Sequence, residues 1–223
     1  MEIPVQVPPQ KARCGVYIDG FNCYFRVFRH RPEWKWFNIQ SFYENLRSTE
    51  DVVGIKYFTA IVHPKIAFSD MRNRQMLYIN AIKTLPKVSV ILGKYQDREV
   101  RCLAGCGQVY NVAEEKKTDV NIAVNLMGDA VENTVDSIVI VSGDSDIEPA
   151  AQWIRKKYPN IKITVYIPNL EGKQERGTAF YKSIGVVCRD LPLADIHMHL
   201  FPEMVPGPNG ANIQRPQAWV AAN

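Results

Sequence analysis

Short runs of β-branched and aromatic residues alternate along the chain with longer stretches in which apolar positions recur every three to four residues. The runs at 15–19 (GVYID), 54–62 (GIKYFTAIV), 88–92 (VSVIL), 137–142 (SIVIVS) and 161–167 (IKITVYI) read as strands, with a weaker sixth at 186–188. Several are apolar nearly throughout, as strands covered on both faces must be. Between them Phe68, Met71, Tyr78, Ile82 and Leu85 form a helical stripe, with Arg72, Arg74 and Lys83 off it. The same periodicity runs through 116–131 and 147–157. Strand and helix in alternation predict an α/β fold built on a parallel, doubly wound sheet.

Two stretches break the rhythm. Residues 94–113 contain CLAGC and are long for a connection, so a β-excursion or a functional loop is expected there. From 202 to 223 the chain is rich in Pro, Asn and Gly and reads as a mobile tail. The expected organisation is an N-terminal extension at 1–12, one domain at 13–201 and the tail.

Composition narrows the class. A chain of 223 residues with 46% hydrophobic and 22% charged residues is neither disordered nor fibrous. The longest strongly apolar run, Ile138 to Val141, is far too short to cross a membrane. The first ten residues have no signal-peptide pattern, and five cysteines are an odd number to pair, so a cytoplasmic protein with reduced thiols is expected. The net charge of +4 permits nucleic acid as a partner without requiring it.

The candidate chemistry lies at the strand ends, because an open parallel sheet builds its site where the strand order reverses. With order 3-2-1-4-5, the first and fourth strands are neighbours at that point. The first ends in Asp19 and the fourth runs into SGDSD, with Asp144 and Asp146. On the helix between the third and fourth strands, Asp119 shares a face with Ile122, Ala123 and Leu126, which places an acid over the strand ends. Two unit charges ~5 Å apart repel by about 3 kcal/mol at an effective dielectric near 20, and a divalent cation relieves that cost. Oxygen ligands without His or Cys favour Mg²⁺ or Mn²⁺.

The blocks VYIDGFN, EEKKTDVNIAV and IVSGDSDIEP resemble, in order and spacing, the signature blocks of the NYN domain in the LabA-like group of the PIN-like nuclease superfamily. The resemblance implies a PIN-like three-layer α/β/α sandwich, a metal-dependent ribonuclease site and, as often among small PIN-like proteins, a homodimer. It carries the family's acidic metal ligands onto Asp19, Asp119 and Asp144, a polar residue onto Asn22 and the lysine of an EKG-D block onto Lys116. Here Lys117 and Thr118 replace the Gly-Val common in that block, which should alter the turn without touching the acid.

Other features have competing readings. Asp146 is equally a cap, a helix-start acid or an outer metal ligand, since Pro149 puts a helix start near 145 or 146 and Ser145 with Glu148 has capping-box spacing. Ser142 can orient a ligand or simply end a strand. Asn22, Arg26 and Arg29 fall at i, i+4, i+7 and would share one polar face, opposite Phe21, Tyr24, Phe25 and Phe28. Arg26, Arg29, Arg72, Arg74, Lys116 and Lys117 are expected to steer RNA, with Trp34 and Trp36 as exposed stacking candidates. Cys102 and Cys106 supply half a zinc knuckle without its other half, so zinc is not expected. The leading expectation is Mg²⁺- or Mn²⁺-dependent RNA hydrolysis. Its rivals are a phosphatase or phosphotransferase on a similar α/β sheet, where DGFN lacks the D-x-D of haloacid-dehalogenase-like phosphatases, and a catalytically silent RNA-binding or scaffolding protein. A dinucleotide-binding domain lacks its G-x-G-x-x-G.

Overall fold

The structure, a computed structural model, describes residues 10–62, 69–102, 104, 106–170 and 177–220. Phe68 of the expected helical stripe and 1–9 of the expected extension lie outside these residues. The strands are β1 (Arg13–Asp19), β2 (Asp51–Thr59), β3 (Val88–Leu92), β4 (Lys94–Arg101), β5 (Val109–Lys116), β6 (Ser137–Val141), β7 (Lys162–Ile167), β8 (Val187–Asp190), β9 (Met204–Pro206) and β10 (Asn212–Gln214). The helices are α1 (Gly20–Arg26), α2 (Ile39–Leu46), α3 (Ser69–Ile82), α4 (Thr118–Val131), α5 (Glu148–Lys157) and α6 (Gly177–Ser183).

Six strands form one sheet in the order β3-β2-β1-β6-β7-β8, every neighbouring pair parallel. The order reverses between β1 and β6, the position expected for the switch point. β6 is buried at all five residues, which is why its sequence shows no alternation. Along β1 the pleat divides the core: Val16 and Ile18 join the cluster with Ile39, Phe42 and Ile82, while Tyr17 joins the one with Ile122, Leu126 and Ile154. Helices α2 and α3 therefore cover one face and α4, α5 and α6 the other, giving the three-layer α/β/α sandwich.

The expected excursion at 94–113 is a hairpin. β4 and β5 pair antiparallel from Lys94↔Lys116 to Arg101↔Val109 and stand apart from the main sheet. Cys102 and Cys106 lie at its turn, and all five cysteines are free thiols.

The mobile-tail expectation is corrected. β9 and β10 pair, and Val205, Ile213 and Trp219 are buried in the same cluster as α2 and α3. The Trp36 indole N–H donates to the Pro202 carbonyl at 2.7 Å, and Arg215 donates to the Trp219 and Glu33 carbonyls. Composition misled because Pro, Asn and Gly set the turns while three widely spaced apolar residues supply the anchor. Trp36, expected as an exposed stacking residue, is fully buried beneath this segment.

Deleting residues 202–223 should therefore destabilise the domain. Trp219→Ala alone should cost roughly 3–5 kcal/mol, the range for a buried aromatic truncated to Ala. Urea unfolding of the wild type, the truncation and Trp219→Ala measures this; a midpoint unchanged by the truncation would mean the segment does not dock.

Candidate metal centre

At the reversal point three acids from separate parts of the chain converge. Asp19 ends β1, Asp119 stands in the first turn of α4, and Asp144 follows β6. Each offers a carboxylate oxygen, and the three oxygens lie within 4.8 Å of one another. Asp19 is 5% exposed and the other two are half-buried.

Asp19 is held from two sides. Its Oδ1 caps α1 by accepting the Asn22 backbone N–H at 2.9 Å, and its Oδ2 accepts the Ser142 hydroxyl at 2.9 Å. Ser142 Oγ in turn accepts the Asp144 N–H at 3.0 Å, and Asn22 Oδ1 accepts the Gly143 N–H at 2.9 Å. Ser142 and Asn22 thus tie the end of β1 to the loop after β6. Asp144 Oδ1 accepts the Asp146 N–H at 3.0 Å, capping the short 3₁₀ turn Ser145–Ile147 that leads into α5. The cap is Asp144 and not Ser145. Asp146 is an exposed helix-start acid outside the close trio, although its charge acts on Asp119.

The electrostatics follow from burial and like charge. Burial, opposed by the Asn22 and Ser142 hydrogen bonds and aided by Asp119 and Asp144, pushes Asp19 up to about 6. Asp119 is raised by burial and by Asp144 and Asp146. A fourth acid, Glu115, is raised to about 7, by burial first and with Asp19 and Asp119 adding to it. Its carboxylate accepts the Thr118 hydroxyl. Glu115 was not among the residues expected from sequence, and the signal that finds it is strand alternation: Glu114 and Lys116 take one face of β5 and Glu115 the other.

The same alternation corrects Lys116. Its ammonium pairs with Glu114 at 2.8 Å on the outer face of the hairpin, away from the trio. Lys117 is exposed with φ +79°, a left-handed conformation at the position where the related block has Gly. The turn keeps its Gly-like shape, and Asp119 keeps its place. Arg26 does reach the site: its guanidinium lies across Gly143, where a Cβ would fall 2.9 Å from Cζ. Arg29 does not share that face, because α1 ends at Arg26 and Val27 turns the chain out of helical geometry. Arg72 is exposed on α3.

Arg29 and Arg74 instead line a cavity of about 480 Å³ on the α3 side of β1, together with Lys35. Its walls are largely aromatic and include Phe21, Phe25, Tyr57 and Trp219. It begins one residue beyond Asp19: Gly20 lines it, and the Tyr57 ring packs so closely on Gly20 that a Cβ there would lie 2.6 Å from the ring.

A parallel α/β/α sandwich with carboxylates gathered at its reversal point is the arrangement of the PIN-like class of protein, and the family match assigns the chain to that class. The chain belongs to the NYN domain family within that superfamily, whose members are associated with nuclease chemistry on nucleic acid; residues 13–178 match the family. One relative is the 6-hydroxy-3-succinoylpyridine 3-monooxygenase HspA of Pseudomonas putida, 25% identical over 238 residues that take in 93% of this chain and 75% of that protein. A solved structure of a protein of unknown function from Vibrio parahaemolyticus shares the fold, with a TM-score of 0.52 and 20% identity over 86% of this chain and 99% of that one.

The raised acids fix a pH dependence. A carboxyl whose folded pKa lies above its unfolded value stabilises the fold at low pH, and that contribution is lost as pH rises through the folded value. In chelator, stability should therefore fall from about pH 4 to about pH 7 as Asp19 and Glu115 ionise. A divalent cation reverses this, contributing about 2.7 kcal/mol at 100 times its dissociation constant. Melting curves in EDTA and in Mn²⁺ at pH 5, 6, 7 and 8 should diverge as pH rises; parallel curves would remove the metal centre.

The left-handed Lys117 gives an independent expectation. A non-Gly residue in that region costs roughly 1–2 kcal/mol and glycine loses about 0.5–1 kcal/mol of chain entropy, so Lys117→Gly should gain about 0.5–1 kcal/mol. A higher urea midpoint with unchanged slope is the expected result.

Proposed function

We propose that the protein is a cytoplasmic, metal-dependent ribonuclease that hydrolyses RNA phosphodiesters at the Asp19–Asp119–Asp144 cluster. The single observation that carries the reading is the convergence of three carboxylates from β1, α4 and the loop after β6 within 4.8 Å. Their donor set is all oxygen, which suits Mg²⁺ or Mn²⁺. When bound there, such an ion supplies Lewis acidity toward water and a phosphate oxygen. The chain's own residues do the rest. Asp19 is fixed in place by Ser142 and the start of α1, and Asn22 holds the loop that carries Asp144. Arg26 brings a positive charge over Gly143, at the edge of an otherwise acidic rim. Water oxygen attacks phosphorus, the P–O3′ bond breaks, and the proton passes to the leaving oxygen, giving 5′-phosphate and 3′-hydroxyl ends. Free thiols at all five cysteines fit a reducing compartment.

Labelled single-stranded RNA, hairpin RNA and single-stranded DNA, each with Mn²⁺, Mg²⁺ or EDTA, test this. Cleavage should require metal and fall by at least 100-fold in Asp19→Asn and Asp144→Asn, while both variants melt normally in EDTA. Removing the Asp19 charge relieves a buried repulsion, so Asp19→Asn should be at least as stable as wild type in chelator above pH 6. Wild-type activity in either variant would sink the assignment.

One observation favours a second reading. The aromatic cavity with Arg29, Lys35 and Arg74 has the lining an aromatic acid requires, and the relative HspA is named for oxygenating a succinoylpyridine. Incubation with 6-hydroxy-3-succinoylpyridine, oxygen and a two-electron reductant, read as conversion by mass spectrometry, distinguishes it from nucleic-acid cleavage.

A further inference from the structure

The cavity beside the carboxylates has a composition that the metal centre does not explain. Its lining residues include three cations, Arg29, Lys35 and Arg74, and no carboxylate. Among the described residues, none of the three forms an ion pair with an acid. Two lie over rings instead, Lys35 Nζ 5.3 Å from the Tyr24 centroid and Arg29 Cζ 6.0 Å from that of Phe25. Lys35 is lowered by burial and by the nearby Arg74 charge, and Glu33 opposes this only in part. A site of this kind is complementary to an anion.

The rings point to the rest of the ligand. Phe25 is 53% exposed and stacks on Phe21 with centroids 6.0 Å apart, and Phe21 meets Tyr95 edge-on. Phe25, half exposed and part of the lining, offers ring surface to a planar partner alongside its contacts with Phe21 and Arg29. The volume, about 480 Å³, falls in the range of small-ligand pockets. The floor is held by hydrogen bonds: Tyr78 donates its hydroxyl to the Phe37 carbonyl at 3.0 Å, and Gln75 ties α3 to the residues after β2 through Ala60 and Val62.

The third observation is continuity. Asp19, Gly20 and Phe21 are consecutive, the first in the carboxylate cluster and the other two in the cavity wall. A chain that laid one phosphate at the carboxylates would bring its neighbouring nucleotide to the cavity.

We propose that this cavity is a nucleotide pocket, seating one unpaired base of the substrate against Phe21 and Phe25 and holding its phosphate on Arg29, Lys35 and Arg74. The substrate class rests on the nuclease reading, and the pocket selects single-stranded over duplex nucleic acid because a base must leave its pair to enter. A phosphate contact alone carries no such preference.

The test is direct binding in EDTA, where no cleavage occurs. Calorimetric titration of the full chain with AMP, UMP, ribose 5-phosphate and benzoate separates ring from charge. The nucleotides should bind at least tenfold more tightly than ribose 5-phosphate or benzoate. The double variant Arg29→Gln/Arg74→Gln should weaken them at least tenfold, and Phe25→Ser should weaken the nucleotides without changing ribose 5-phosphate. Equal binding of AMP and ribose 5-phosphate would overturn the proposal, as would benzoate binding more tightly than either nucleotide, or no nucleotide binding at millimolar concentration. Cleavage assays are read separately. RNA cut without nucleotide binding in EDTA refutes the pocket and leaves the nuclease reading standing; nucleotide binding without any cleavage does the reverse.

Discussion

A carboxylate buried at the end of the central strand must be satisfied by whatever meets it there, and much of this molecule's organisation follows from Asp19. One oxygen caps α1 and the other takes the Ser142 hydroxyl, so a single side chain joins a strand, the helix that follows it and the loop after the neighbouring strand. Those two hydrogen bonds favour the charged form, yet burial and the facing Asp119 and Asp144 outweigh them. The fold therefore concentrates negative charge where it is costly, and the cost is tolerable because the surrounding sheet is over-determined by parallel pairing and two packed faces.

Charge is partitioned across this point. The trio and Glu115 sit at the junction of β1 with β6 and α4, while Arg29, Lys35 and Arg74 surround the cavity between α1 and α3. Tyr57 and Gly20 form the seam between the two regions, packed too closely to admit a side chain at Gly20. An anionic ligand extended along the rim would meet attraction on one side and, without a cation at the carboxylates, repulsion on the other. Both regions are therefore best read as one surface with a polarity.

The sequence made the sheet and the acid trio legible because each signal was local and repeated. Five apolar runs announced the strands, and the reversal of strand order converted scattered acids into neighbours. What was missed depended on geometry that periodicity alone does not carry. By spacing Arg29 continues the face of Asn22 and Arg26, but α1 stops one turn too soon. Lys116 sits next to the right residues yet points the wrong way, and Glu115 was overlooked for the same pleat. The C-terminal segment reads as mobile because its turn-forming residues outnumber its anchors, although Trp219 packs it against Trp36 and Tyr78.

The hairpin of β4 and β5 delivers Glu115 to the rim from an element that is mostly outside the core, and α4, which carries Asp119, departs from its end. Its root is fixed by the Gly93 N–H donating to the Thr59 carbonyl and by Tyr95 against Phe21, while Val109 and Tyr110 near its turn are about half exposed. A ribbon anchored at one end behaves as a replaceable module. Its tip can lengthen, shorten or accept a foreign loop, as exposed loop tips generally do, without disturbing the register at Lys94↔Lys116 from which α4 departs. The paired ribbon runs seven residue steps from Lys94↔Lys116 to Arg101↔Val109, roughly 23 Å, so a reporter peptide grafted at its turn would stand well clear of the carboxylates.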